Sequence, residues 1–147
     1  MLNFQRLEDR VCADEGFVPC AYLDSVGVPT IGYGTTCIMG AVVTMDTPPI
    51  TSTEARDLLR SDLFTALIDA QAIFANLDFL NNVRQEVLVN MAYNMGRGSL
   101  LGFSKMIANV NLLQYEKAAD EMVESVWYRQ TKKRAQRLVK AMRSGVW

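Results

Sequence analysis

The amino-acid sequence predicts an α+β fold: a small antiparallel sheet in one lobe, a mainly helical C-terminal lobe, and a long helix joining them. Three observations carry this. Turn and strand signals are confined to residues 16–43, a capped segment with helical apolar spacing starts near residue 52, and the remainder is helical in pattern. A chain of 147 residues fits one domain and can bury a core without metal or disulfide staples.

Phe4, Leu7 and Val11 share one side at helical spacing, so residues 3–13 read as a short amphipathic helix. Residues 14–50 form the small β lobe. There Asp24-Ser-Val-Gly27 is a turn signature and Val28-Pro-Thr-Ile-Gly-Tyr-Gly34 looks extended, since Pro29 biases Val28 away from helical angles. Two or three strands are expected, and Pro48-Pro49 ends the segment. Thr51-Ser-Thr-Glu54 is a capping box, followed by Leu58, Leu59, Leu63, Leu67 and Ile68 at helical spacing. A helix over 52–75 would span roughly 35 Å, long enough to bridge two lobes. The helical lobe, 76–147, is expected to include the N-terminal helix. Val83, Val87, Leu88, Met91 and Met95 make one apolar stripe, ended by Gly96 and Gly98, and further helices are predicted near 104–110, 115–125 and 132–143.

The net charge is −1, but residues 1–70 hold 4 Lys/Arg against 10 Asp/Glu, and residues 71–147 hold 11 against 6. Arg129, Lys132, Lys133, Arg134, Arg137, Lys140 and Arg143 have no acidic residue among them. Such asymmetry fits a polyanionic partner, attraction between the two halves, or a solvated basic helix, and on charge alone the solvated helix is the better reading. The chain has no histidine, which excludes a Cys/His zinc site, a Ser-His-Asp triad and a His-activated cysteine. Cys12, Cys20 and Cys37 are odd in number with no C-x-x-C pair, and read as reduced thiols used as small packing residues. The N-terminus has no apolar h-region and no stretch approaches 18 apolar residues, so neither a signal peptide nor a membrane span is expected.

The chemistry-bearing stretch is Glu15 to Gly34. A carboxylate closes the first helix, a second stands nine residues on at a turn, and the Thr30 hydroxyl follows on a strand among glycines. Glycoside hydrolysis needs two carboxyl groups: one protonates the leaving oxygen, the other handles the water or the developing positive charge. On spacing alone, Glu15 reads better as a helix-end residue and Asp24 as a turn residue.

Two separated blocks decide between these. Glu15-Gly, Tyr22-x-Asp24 and Pro29-Thr-Ile-Gly-x-Gly34 form the first. The second holds Asn90-Met-x-Tyr-Asn-Met-Gly96, Gly102-Phe-Ser104, Ala118-Ala119, Trp127-Tyr-x-Gln-Thr-x-x-Arg-Ala-x-Arg137 and Arg143-x-Gly-x-Trp147. In order and spacing they resemble the tailed-phage lysozymes of glycoside hydrolase family 24, over nearly the whole chain except residues 37–50. The resemblance implies a lysozyme-like fold and an inverting endolysin, a muramidase that cuts the β-1,4 bond between N-acetylmuramic acid and N-acetylglucosamine and lyses the host at phage release. It places the general acid at Glu15, the carboxylate supporting water attack at Asp24, and the hydroxyl holding that water at Thr30. It assigns Arg134 to the arginine that pairs with the catalytic glutamate, and Thr36, Tyr93, Met106 and Glu121 to substrate-lining positions. No metal or organic cofactor is implied. The expected partner is the peptidoglycan glycan strand, met by a monomer with no nucleic acid and no stable membrane insertion. The protein would be made in the host cytoplasm and need a holin to reach the periplasm.

Where the family has Gly-His, this chain has Gly34-Thr35. The histidine forms a structural salt bridge in the family, so its loss should bear on stability and pH response more than on catalysis. Two rival functions share the fold. A lytic transglycosylase needs the glutamate but not the Asp24/Thr30 pair, and a silent wall-binding protein needs none of the three; retention of all three argues against both. Trp127 and Trp147 are expected in the core, as are Met91 and Met95.

Overall fold

The computed structural model describes residues 1–147. They form two compact units: Gln5–Phe64, and Met1–Phe4 with Thr65–Trp147. The architecture is α+β, with seven helices and short antiparallel strands.

The first unit holds α1 (Phe4–Glu15) from Gln5 onward, β1 (Val18–Leu23), β2 (Pro29–Gly32), β3 (Cys37–Ile38), β4 (Ala41–Val42) and the first part of α2 (Ser52–Ile73). The grouping differs from the sequence expectation, because α1 belongs with the sheet and not with the helical region. The reason is polar. Glu8, fully buried, accepts from Arg56 Nη1 at 2.9 Å and from Arg60 Nε and Nη2 at 2.8 and 3.0 Å, while Arg56 also bonds Asp9 at 3.0 Å. These arginines stand four apart on α2, so one face of that helix clamps one carboxylate of α1. The expected single sheet is two antiparallel ladders, β1 with β2 and β3 with β4, plus an isolated bridge between Ile31 and Thr35. Strands of two residues carry too little alternation to be legible in sequence.

Leu7, Val11, Ile31, Val43, Ala55, Leu59 and Leu63 form the apolar interior of this unit. Gly32 is required there twice over. Its φ is +67°, and a Cβ would lie 3.1 Å from both Ala55 Cβ and Ile50 Cδ1. The capping box is formed as predicted: the Thr51 amide donates to Glu54 Oε2 at 2.7 Å and the Glu54 amide to Thr51 Oγ1 at 3.2 Å. The Thr51 amide holds the Glu54 carboxyl below its usual range.

The second unit holds the rest of α2, a 3-10 turn (Leu77–Phe79), α3 (Asn82–Leu101), α4 (Ser104–Asn111), α5 (Tyr115–Val123), α6 (Val126–Thr131) and α7 (Lys133–Ser144). Gly96 breaks α3 with φ 77° and ψ 160°, where the apolar stripe ends, but the helix resumes to Leu101. α6 is too short to show a helical period; Ser125 Oγ caps it by accepting from the Tyr128 amide. α5 packs on α4 and α7, and Val87, Leu88, Met91, Met106, Met122 and Leu138 fill the interior. Trp127 is buried as expected, its indole N–H donating to Asn94 Oδ1 at 2.7 Å. Trp147 is only half-buried, because its indole N–H reaches the buried Glu86 carboxylate at 2.7 Å and holds the ring at the margin. Met95 is likewise half-buried, beside the Gly96 break.

Cys12 is a packing residue, and burial pushes its thiol up, which keeps it protonated and inert. Cys20 and Cys37 are exposed, contrary to the packing expectation, because β1 and β3 turn them outward. No helix is long and apolar enough to cross a membrane.

Candidate functional site

α1 ends at Glu15 because Gly16 adopts φ +70° and its amide closes the last turn on the Cys12 carbonyl at 3.0 Å. Glu15 is half-buried at that helix end, three residues before β1.

Asp24 opens the turn between β1 and β2. Its amide donates to the Val28 carbonyl at 3.0 Å, and the Gly27 amide, with φ +83° at that glycine, donates to the Asp24 carbonyl at 3.0 Å. Asp24 Oδ1 accepts from the amides of Val26 and Val28 at 2.9 and 2.8 Å. The carboxylate is thus fixed by the backbone it caps, and both bonds fall on one oxygen, leaving Oδ2 as a further acceptor. Thr30, on β2 and only 4% exposed, donates its hydroxyl proton to the Val28 carbonyl at 2.9 Å. Val28 is therefore shared: its amide holds Asp24 and its carbonyl holds Thr30. Pro29 keeps Val28 extended and so sets this relation. With the Thr30 proton committed to Val28, that hydroxyl can only accept from any further partner.

Thr35 is buried. Its backbone pairs with Ile31 in both directions at 2.9 Å, and its Oγ1 has no hydrogen-bond partner. Thr36 is exposed, and its carbonyl accepts from the Val43 amide at 2.8 Å.

Glu15, Asp24, Thr30 and Thr36 thus belong to the Gln5–Phe64 unit, and Tyr93, Met106, Glu121 and Arg134 to the helical unit. Tyr93 is half-buried on α3, three residues before the Gly96 break. Met106 and Glu121 come together on a cavity of about 440 Å³, with Phe103, Lys105 and Glu124. Met106 is fully buried and forms floor, whereas Glu121 keeps exposed surface. Arg134, in the first turn of α7, donates from Nε to Oδ1 of the buried Asn90 at 2.9 Å.

Sequence reasoning missed two positioning residues. Asn90 stood inside the Asn-Met-x-Tyr block without a role, and a buried amide opposite a motif arginine was the available signal. Val28 gave none beyond the following proline, because it acts through its backbone. No group of three or more Cys, Asp or Glu side chains is arranged to hold a metal ion.

The Phage lysozyme family model matches residues 13–144. The chain belongs to the phage lysozyme family. Probable T4-type lysozyme 1 of Dictyostelium discoideum is 29% identical, over 95% of this chain and 94% of that protein. The endolysin of Salmonella phage P22 is 32% identical over 76% of this chain and 74% of its own length. The pre-baseplate central spike protein Gp5 of Enterobacteria phage T4 is 30% identical over 90% of this chain, which corresponds to only 26% of that longer protein. Membership in this family assigns the lysozyme-like α+β fold and a lysozyme-type function, that of a glycoside hydrolase.

Proposed function

We propose that the protein is an inverting endolysin that hydrolyses the β-1,4 bond between N-acetylmuramic acid and N-acetylglucosamine in peptidoglycan. The observation that carries this is the Val28 node, which holds Asp24 and Thr30 in one hydrogen-bonded turn of a family-matching segment. Asp24 Oδ2 and Thr30 Oγ1 are both left as acceptors. A water between them would donate both its protons and present a lone pair outward, the orientation that attack on an anomeric carbon needs. Glu15 donates a proton to the leaving oxygen. Arg134, held by Asn90, supports that glutamate. Thr36, Tyr93, Glu121 and the Met106 floor contact substrate. The protein acts as a monomer without cofactor, and serves host lysis once a holin opens the membrane.

Glu15→Gln tests the assignment, with turbidity loss of outer-membrane-permeabilised Gram-negative cells as the readout. Loss of a general acid should slow turnover by about 10²–10⁴-fold. A rate equal to wild type would remove Glu15 from this role. Mass spectrometry of the released muropeptides should show hydrated reducing ends, and anhydro ends would overturn hydrolysis.

A further inference from the structure

The Val28 node fixes Asp24 and Thr30 but not the helix end that carries Glu15. Glu15 is the last residue of α1, where the chain turns through Gly16. The cap is of the single-bond kind. The Gly16 amide reaches the Cys12 carbonyl, four residues back, and nothing lies within 4 Å of where a Gly16 Cβ would stand. A helix end closed in this way frays unless a side chain beyond the glycine packs back against it.

Phe17 occupies that place, and Tyr33 meets it. Their ring centroids are 5.5 Å apart at an interplanar angle of 41°. Val18 and Gly32 face each other across β1 and β2, so the rings form a cross-strand pair one step beyond the ladder's end. The Tyr33 hydroxyl is also hydrogen-bonded to the Cys12 thiol; burial, the larger effect, still pushes that thiol up, and the hydroxyl works against it. Tyr33 thus touches the chain on both sides of Glu15, three residues before it and two after. Its own backbone is well held. Tyr33 is the middle residue of a turn whose glycines, Gly32 and Gly34, have φ of +67° and +87°, and two Ile31–Thr35 backbone bonds of 2.9 Å close it. Thr30 lies on the strand that feeds this turn. β1 and β2 lose register between Val18 and Tyr22, so the ladder is interrupted between the end that leads to Glu15 and the end that bears Asp24 and Thr30. The ring pair bridges that interruption.

We infer that Tyr33 is a positioning residue for the general acid: by clamping Phe17 and Cys12 it fixes the helix end that carries Glu15 to the segment that carries Thr30. The inference rests on the proposed role of Glu15. A misplacement of about 1 Å can cost about 10²-fold in rate, so the clamp acts on turnover and leaves substrate affinity alone.

The test compares Tyr33→Ala, Phe17→Ala and Tyr33→Phe with the parent on soluble peptidoglycan strands, with kcat and KM measured separately and amide hydrogen exchange followed at Gly16. Tyr33→Ala and Phe17→Ala should each lower kcat by roughly 10–10²-fold and leave KM within about twofold. Gly16 exchange in both should quicken about tenfold as the helix end opens. Tyr33→Phe keeps the ring pair and should recover most of the lost turnover. Met122→Ala, which loosens the helical interior, is the control for lost stability and should keep the parent kcat below its unfolding temperature. In a Glu15→Gln background, Tyr33→Ala should cause no further loss, because it acts through that carboxyl. A parent kcat in Tyr33→Ala, a change confined to KM, or a full further loss in the Glu15→Gln background overturns the inference. Glu15→Gln turning over at the parent rate overturns the catalytic assignment and leaves Tyr33 no acid to position. The two failures differ in which variant keeps the parent rate.

Discussion

The two units of the chain keep their form by different means. In Gln5–Phe64 the shape is set largely by polar links between neighbouring backbone and side chains: Asp24 capping its own turn, Thr30 bound to Val28, and Glu8 held by Arg56 and Arg60. In the helical unit an interior of methionine, leucine and valine carries the load, and polar groups close the ends. Asn81 Nδ2 donates to the Gly145 carbonyl at 2.9 Å, and Arg84 donates to the carbonyls of Met142 and Arg143 at 2.9 and 3.0 Å while its guanidinium lies 3.6 Å from the Tyr115 ring centre. Packing is strong but indifferent to where one atom sits; a hydrogen bond fixes a single atom. The unit that bears Glu15, Asp24 and Thr30 is therefore the one built on hydrogen bonds.

The contrast can be broken from either side. Met122 is fully buried on α5, and Met122→Ala should cost about 2–5 kcal/mol through lost transfer energy and a cavity. Glu8→Ala removes a buried carboxylate shared by two arginines whose side chains are 37% and 43% exposed. Water can recover those guanidiniums, so the cost should be smaller, about 1–3 kcal/mol. Urea unfolding of the two variants ranks them. A Glu8→Ala cost above that of Met122→Ala would reverse the comparison.

A finer effect separates structure from chemistry within the hairpin. Asp24→Asn keeps an Oδ1 acceptor for the Val26 and Val28 amides, so stability should change by about 0.5 kcal/mol or less. Asp24→Ala removes the acceptor and should cost about 1–2 kcal/mol. Both should lose most lytic activity if the carboxylate charge acts on the water. Retention of the wild-type rate by Asp24→Asn would leave the residue as a turn cap alone, the reading that spacing by itself allowed.

That ambiguity shows how far the sequence was legible. The long helices were visible because apolar residues recur at 3.6-residue spacing over two or more turns, and the capping box of α2 was visible because its chemistry is local. Asp24 and Thr30 were visible as side chains in a family motif. Their connection through Val28 was not, since a backbone amide and carbonyl leave no trace in residue identity. The grouping of α1 with the sheet was hidden for a related reason. It depends on Glu8 meeting Arg56 and Arg60, about fifty positions away, and a single sequence does not pair distant charges. The two-residue strands and α6 fell below any period.

A last effect, on stability alone, concerns Thr35, which stands where the family has a histidine. Its backbone needs nothing from the side chain, because both of its polar groups pair with Ile31. Its Oγ1 is buried without a partner, a state that costs about 1–3 kcal/mol relative to a satisfied or absent hydroxyl. Valine has nearly the same shape and no hydroxyl, and β-branched residues suit the extended backbone. Thr35→Val should therefore stabilise the protein by about 1 kcal/mol, raising Tm by about 2–4 °C. Thr35→Ser keeps the unsatisfied group and loses a methyl, so it should destabilise by a similar amount. Neither residue titrates, so the gain in Thr35→Val should be the same at pH 5 and pH 8. A valine variant less stable than the parent would show that the hydroxyl is satisfied in solution, and the polar character of this unit would then extend to Thr35.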